Sequence, residues 1–166
     1  MIDPILLNKF IKVCERAAFG ASKFKGKNDK IAADKAAVDR MREQLNNIPM
    51  QGNIVIGEGE MDEAPMLYIG EEVGTKKGVL LDIAVDPLEG TNFAAKNLPG
   101  ALSVMAISLK GNLFNAPETY MNKLAVGKDV PKDATDLDYP IEKNIKNIAE
   151  SKNKDLTQLT ACLLNR

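Results

Sequence analysis

The sequence predicts an α/β fold on three observations: helical spacing of apolar residues across the first 46 positions, short β-branched runs after them, and acid-rich loops ending two of those runs. With 166 residues and 45% hydrophobic content the chain can bury one domain-sized core, and one compact unit is the default expectation. No internal repeat, low-complexity tract or clear linker is visible.

Each element follows from a local signal. Asp3-Pro4 supplies a cap and a first helical position, and Ile5, Leu6, Phe10, Val13, Cys14 and Ala17 recur at helical spacing behind it. A Gly/Lys/Asn-rich connector over 22–29 leads into a second helix over 30–46, with Ile31, Ala33, Ala37, Val38, Met41 and Leu45 as its apolar positions. The first strand is expected over 53–56, then an acidic loop over 57–63 and a short helix over 64–73 entered near Pro65. A second strand over 78–85 runs into an Asp86-Pro87 turn, and a third covers 102–109. Lys110-Gly111-Asn112 predicts a hairpin into Leu113-Phe114, and 122–126 a further short strand. Residues 128–140 read as a loop, 141–150 as a helix, and 155–158 as the start of a short element. Residues 159–164 look like the start of a buried strand, so the chain is expected to stop before its protein does.

Composition removes several functions. The 22 basic and 23 acidic residues nearly cancel, so bulk charge predicts neither a nucleic-acid nor an anionic-membrane partner. The first residues lack the basic segment and long apolar core of a secretory signal, and no apolar run reaches membrane-spanning length. Cys14 and Cys162 sit among apolar neighbours far apart in sequence, which predicts buried thiols in a reducing, cytoplasmic compartment. The chain has no histidine, which excludes Ser-His-Asp and Cys-His catalysis and every histidine zinc site. Carboxylates must then carry any acid–base or metal chemistry.

Two acidic stretches supply them. In LLDIAVDPLEGTNF an apolar strand delivers Asp86, Glu89 returns a second carboxylate three residues later, Gly90 permits close backbone approach, and Thr91 adds a hydroxyl and an amide. Hard oxygen ligands so placed suit Mg2+ or Mn2+, and the Gly-Thr step suits a phosphate oxygen. A plain Asp-Pro turn with a solvated Glu89 fits the spacing equally well. In NIVIGEGEMDEAPML a strand ends in Gly57-Glu58-Gly59-Glu60, at the kind of sheet edge where open α/β proteins bind ligands. Taken alone that loop reads as solvated. Together, the two loops bring Glu58, Asp86 and Glu89 within reach of shared cations. Lys30 and Asp34 read as a solvated pair four residues apart, and Tyr120 as a half-buried aromatic.

Other motifs fail. EEVGTKKG lacks the order of a P-loop, Asp136-Leu137-Asp138 follows a polar loop instead of an apolar strand, and neither cysteine lies in an anion-binding loop.

The D-P-[IL]-[DE]-G-T pattern at 86–91, with an acidic loop upstream, resembles the metal-dependent, lithium-sensitive sugar phosphatase superfamily. Extended through VIGEGEMDEAPMLYIGEEVGT, DIAVDPLEGT and NAPETYMNKLAVG, the match looks like the class II fructose-1,6-bisphosphatases of bacteria, whose cyanobacterial relatives also act on sedoheptulose 1,7-bisphosphate. The resemblance implies a layered α/β sugar phosphatase fold and Mn2+- or Mg2+-dependent hydrolysis of the 1-phosphate of fructose 1,6-bisphosphate. Asp34, Glu58, Asp86 and Glu89 match metal ligands; Glu89, Gly90, Thr91 and Tyr120 match sugar-bisphosphate contacts, and Thr91 matches the threonine that positions the attacking water. Lys30, Glu60 and Asp62 lie inside matched motifs as second-tier candidates. The family continues past Arg166 with a Lys-Pro-Arg type step, an Asp-Gly-Asp motif and a further ligand glutamate. Residues 1–166 are therefore expected to be the N-terminal, metal- and phosphate-binding portion of a homo-oligomeric enzyme. Inositol monophosphatase, bisphosphate nucleotidase and a non-catalytic metal-binding fragment are the alternatives.

Overall fold

Asp3 starts the first helix as the sequence predicts, and Asp29, the last residue of the predicted connector, caps the second. The computed structural model describes residues 3–58, 66–114 and 121–163. Asp3 accepts a hydrogen bond from the Ile5 amide at 2.8 Å and opens α1, Pro4–Ser22; Asp29 accepts from the Ala32 amide at 2.9 Å and opens α2, Lys30–Asn46. Phe10, Val13 and Ala17 of α1 and Ala33, Ala37, Val38, Met41 and Leu45 of α2 are buried, as their periodicity requires. The two helices cross closely at Gly20, where an added Cβ would stand 2.5 Å from the Ala36 carbonyl oxygen.

Among the described residues four strands follow: β1 Met50–Ile56, β2 Glu72–Val73, β3 Val79–Glu89 and β4 Leu102–Leu109. They form one mixed sheet in the order β2-β1-β3-β4, with β1 parallel to β3 and the other neighbours antiparallel. Ile54, Leu81, Ile83 and Val85 are buried in one core with the helices, and Met105 and Ile107 pack against it. Leu80 and Val104 stay about half exposed at 48% and 49%.

Several expectations need correction. β1 begins three residues before the predicted start at Asn53, because the backbone of Met50 and Gln51 already pairs with β3. The helix predicted over 64–73 does not form in its described part: Gly70 takes a left-handed φ of 92°, and Glu72–Val73 pairs with β1 instead. Asp86-Pro87 is no turn. β3 runs through it to Glu89, with a register shift against β4 that accommodates a residue unable to donate to the ladder. A five-residue helix missed by the sequence reading, α3 Thr91–Ala95, follows Gly90. After β4 the chain turns at Gly111, φ 85°, but neither Leu113 nor Phe114 is in a strand with the described residues.

The chain divides into two compact units, Met1–Glu118 and Thr119–Arg166, where one was expected. The whole hydrophobic cluster lies between Phe10 and Ala94, so the second unit holds together by other means. In it, α4 Ile141–Ser151 carries the buried Asn144, which accepts from the Asp136 amide at 3.0 Å and donates to the Asp136 carbonyl at 2.7 Å. Asp155 and Gln158 close a capping box around a single 3-10 turn, Leu156–Gln158. Neither 122–126 nor the described part of 159–164 is a strand. Leu163 is 86% exposed and Cys162 is exposed, correcting the buried thiol and buried strand predicted there; short apolar runs do not fix burial without neighbours to pack on.

Candidate metal and phosphate site

Parallel pairing of β1 with β3 carries the two acidic stretches to one edge of the sheet. Ile56 lies opposite Ala84; Glu58 follows two residues beyond the end of β1, and Asp86 two residues further along β3. Side chains alternate faces along a strand, and one inserted residue reverses that alternation. Each strand has such an insertion. β1 shifts register between Ile54 and Ile56, which puts half-exposed Ile56 on the face opposite buried Ile54. β3 shifts between Asp86 and Glu89, which brings two carboxylates three residues apart onto one face.

Gly57 and Gly90 serve this arrangement differently. A Cβ on Gly57 would lie 2.1 Å from the Leu67 carbonyl oxygen, the acceptor for the Glu58 amide at 3.1 Å. Only glycine lets these segments meet. Gly90 takes a left-handed φ of 77° and caps α3 by accepting from the Phe93 amide at 2.8 Å. Thr91, partly buried, is therefore the first residue of α3, directly behind Glu89.

The acids interact strongly. Burial, then hydrogen bonding and repulsion from Glu89, push the Asp86 carboxyl up to about 6, while the Leu88 amide and Glu58 pull the other way. Carboxyls this close share a proton, or a cation neutralises them. Among the described residues no three acids form a preassembled cation cage, and Asp86 hydrogen-bonds to both Glu89 and Glu58.

Asp34 departs from its solvated reading. Its Oδ1 is buried with no hydrogen-bond partner, Lys30 does not pair with it, and burial raises its carboxyl above the usual range. A buried carboxylate oxygen left unpaired costs free energy that a cation would remove. The helix carrying it packs on α3 and β3, and the connector before it donates from Gly26 and Asn28 to the carbonyls of Ala94 and Ala95 at 3.1 and 2.8 Å. Asp34 thus occupies the end of α2 docked beside α3. Hard oxygen donors of this kind fit a divalent cation. Glu60, Asp62 and Tyr120 lie outside the described residues.

Sequence reasoning missed Arg42 and Glu71. Arg42 Nε donates to Glu71 Oε1 at 2.7 Å and Nη2 to Oε2 at 3.0 Å, a bidentate pair spanning 29 residues and partly buried. No local spacing announces a pairing at that range. Asp82, buried within β3, has a structural task and accepts from the Gly111 amide beyond β4.

Residues 5–166 match the family model described as bacterial fructose-1,6-bisphosphatase, glpX-encoded. The chain is 49% identical over 177 aligned residues to a D-fructose 1,6-bisphosphatase class 2/sedoheptulose 1,7-bisphosphatase of Synechococcus sp., covering 99% of the chain and 51% of that relative. It is 49% identical over 156 residues to fructose-1,6-bisphosphatase 1 class 2 of Escherichia coli, covering 94% and 46%. Against fructose-1,6-bisphosphatase class 2 of Haemophilus influenzae it is 49% identical over 163 residues, covering 98% and 49%. The chain spans about half the length of these curated relatives.

Proposed function

The chain belongs to the bacterial, glpX-encoded fructose-1,6-bisphosphatase family, and from that premise we propose that it forms the metal- and phosphate-binding half of an enzyme hydrolysing the 1-phosphate of fructose 1,6-bisphosphate. The products are fructose 6-phosphate and inorganic phosphate, as gluconeogenesis requires. One observation carries the reading: β1 and β3 run parallel, so Glu58 meets Asp86 and Glu89 at a single sheet edge. The finer fold assignment, to the layered sugar phosphatases of the lithium-sensitive superfamily, rests on the 86–91 motif.

Glu58, Asp86, Glu89 and Asp34 would hold the cations, Mg2+ or Mn2+. Bound there, such ions polarise phosphoryl oxygens and lower the pKa of water. The chain's own residues supply the placement. Thr91 would accept a hydrogen bond from the attacking water through its hydroxyl oxygen and fix its line of approach, while the Gly90 and Thr91 amides would hold the phosphate. An acid cluster that repels itself until a cation arrives makes catalysis metal-dependent without histidine.

The reading extends to a cytoplasmic, homo-oligomeric protein acting on a sugar bisphosphate, with neither nucleic acid nor membrane as partner. Among the described residues no helix is long and apolar enough to cross a membrane. Phosphate release from fructose 1,6-bisphosphate, measured with Mn2+ or Mg2+ and in excess chelator, tests the proposal. Asp86→Asn and Glu89→Gln should each lower turnover at least about 100-fold, a loss of roughly 3 kcal/mol in transition-state stabilisation. Undiminished release in chelator, or equal rates on an inositol monophosphate, would overturn it. Because the chain spans half its relatives, a second outcome has its own support: the isolated chain binds Mn2+ without turnover.

A further inference from the structure

Arg42 lies outside the acid cluster, yet its contacts lead straight to Glu58. Its guanidinium holds both oxygens of Glu71 and also donates to the Met66 carbonyl. The next carbonyl along the chain, that of Leu67, accepts the Glu58 amide at 3.1 Å. Three residues further, the Gly70 amide donates to the Ile54 carbonyl at 2.7 Å, and the Ile54 amide donates to the Glu71 carbonyl at 2.9 Å. Segment 66–71 is thus fixed to α2 on one side and to the tip of β1 on the other. Glu71 is mostly shielded, with 12% of its side chain exposed.

The same helix carries Asp34, eight residues before Arg42. One rigid element therefore holds one acid directly and places a second through a side chain. From this connectivity we infer that Arg42, with Glu71, is a positioning residue that sets where Glu58 stands relative to Asp86. The inference rests on the metal-site reading above and adds a determinant outside the acid cluster.

The planar fork is what the role demands. It spans a carboxylate and a backbone carbonyl at once, whereas a lysine ammonium presents a single point of charge. Retaining charge alone will not substitute.

Two readouts on the full chain test the inference. Amide hydrogen exchange at Glu58, followed by NMR without metal, reports placement directly; Mn2+ titration reports its consequence. Arg42→Ala should speed exchange at Glu58 about tenfold or more and weaken Mn2+ binding by roughly 10- to 100-fold, the range for residues that orient metal ligands. Arg42→Lys should fail to rescue either, and Glu71→Gln should reproduce both; Glu71→Gln carries the test if Arg42→Ala does not fold. Two controls on α2 separate placement from stability. Arg40→Ala removes an exposed ion pair with Glu43, and Leu45→Val trims the core; both should leave Glu58 exchange relative to Ile54 unchanged.

Unchanged exchange at Glu58 in Arg42→Ala overturns the inference, as does faster exchange with unaltered Mn2+ affinity. A wild-type chain whose Mn2+ binding is absent or indifferent to Asp86→Asn overturns the metal-site reading itself, and the Glu58 exchange rate still decides whether Arg42 places that residue.

Discussion

At Asp86, burial and the neighbouring Glu89 both favour the protonated acid and push its carboxyl up to about 6. A carboxyl whose folded pKa lies above its unfolded value contributes stability that is complete below the unfolded pKa and lost as pH rises through the folded one. The metal-free chain should therefore lose stability between about pH 4 and 6.5, opposite to the usual carboxylate trend. Melting temperature followed across that range checks it, with Asp86→Asn expected to flatten the slope and raise metal-free stability at neutral pH. Saturating Mn2+ at pH 7.5 should raise the melting temperature of wild type and leave that of Asp86→Asn nearly unmoved. A second residue-scale contrast lies in the thiols. Burial raises the Cys14 thiol while Cys162 is exposed, so an alkylating reagent at pH 8 should modify Cys162 first. Peptide mapping after partial reaction with more label at Cys14 would reverse that assignment.

The elements that aim these residues are two strand irregularities and two glycines. Substituting Gly57 by alanine forces a Cβ against the Leu67 carbonyl, which neither segment can relieve while the Glu58 amide stays bonded there. Gly57→Ala should cost about 1–3 kcal/mol, the range for overpacking, and weaken Mn2+ binding more than an equally destabilising change at the Gly20 crossing of α1 and α2. Denaturant titration with parallel Mn2+ binding measures both; equal metal affinity in the two variants would count against a special role for the β1 tip. Here the limits of sequence reading have a physical cause. The two leading helices were legible because capping and 3.6-residue spacing are local signals, and Glu58, Asp86 and Glu89 were legible as candidates because glycines and acids cluster after apolar runs. The bulges that set their facing were not, since register depends on the partner strand. β3 passing through Asp86-Pro87 was mistaken for a turn because proline's missing donor is tolerated only where the ladder slips, a fact of pairing. Arg42 with Glu71 was invisible for the same reason.

For the whole molecule the division into two units makes a thermodynamic prediction. Met1–Glu118 contains the entire connected cluster of buried apolar residues, from Phe10 to Ala94, with both leading helices and all four strands. Thr119–Arg166 buries only Val130 and Ala149 among its described apolar residues, while Ile141 and Ile145 of α4 remain exposed. Its order rests on Asn144, bonded to both the amide and the carbonyl of Asp136, and on the Lys152–Asp129 ion pair. Hydrogen bonds contribute about 1 kcal/mol each and a solvent-screened ion pair adds little more, far less than a connected core supplies. The units should open separately, the second at lower cost. Native-state hydrogen exchange should find α4 amides exchanging at least about 100-fold faster than those of α2 and β3, equivalent to a gap of roughly 3 kcal/mol. Asn144→Ala should widen that gap by stranding the Asp136 backbone groups, with exchange in β3 unchanged. Equal slowing across α4 and β3, collapsing together in Asn144→Ala, would mean that the second unit shares the stability of the first. In the expected case the proposed site, drawn from β1, β3 and α2, keeps its geometry while the second unit opens and closes.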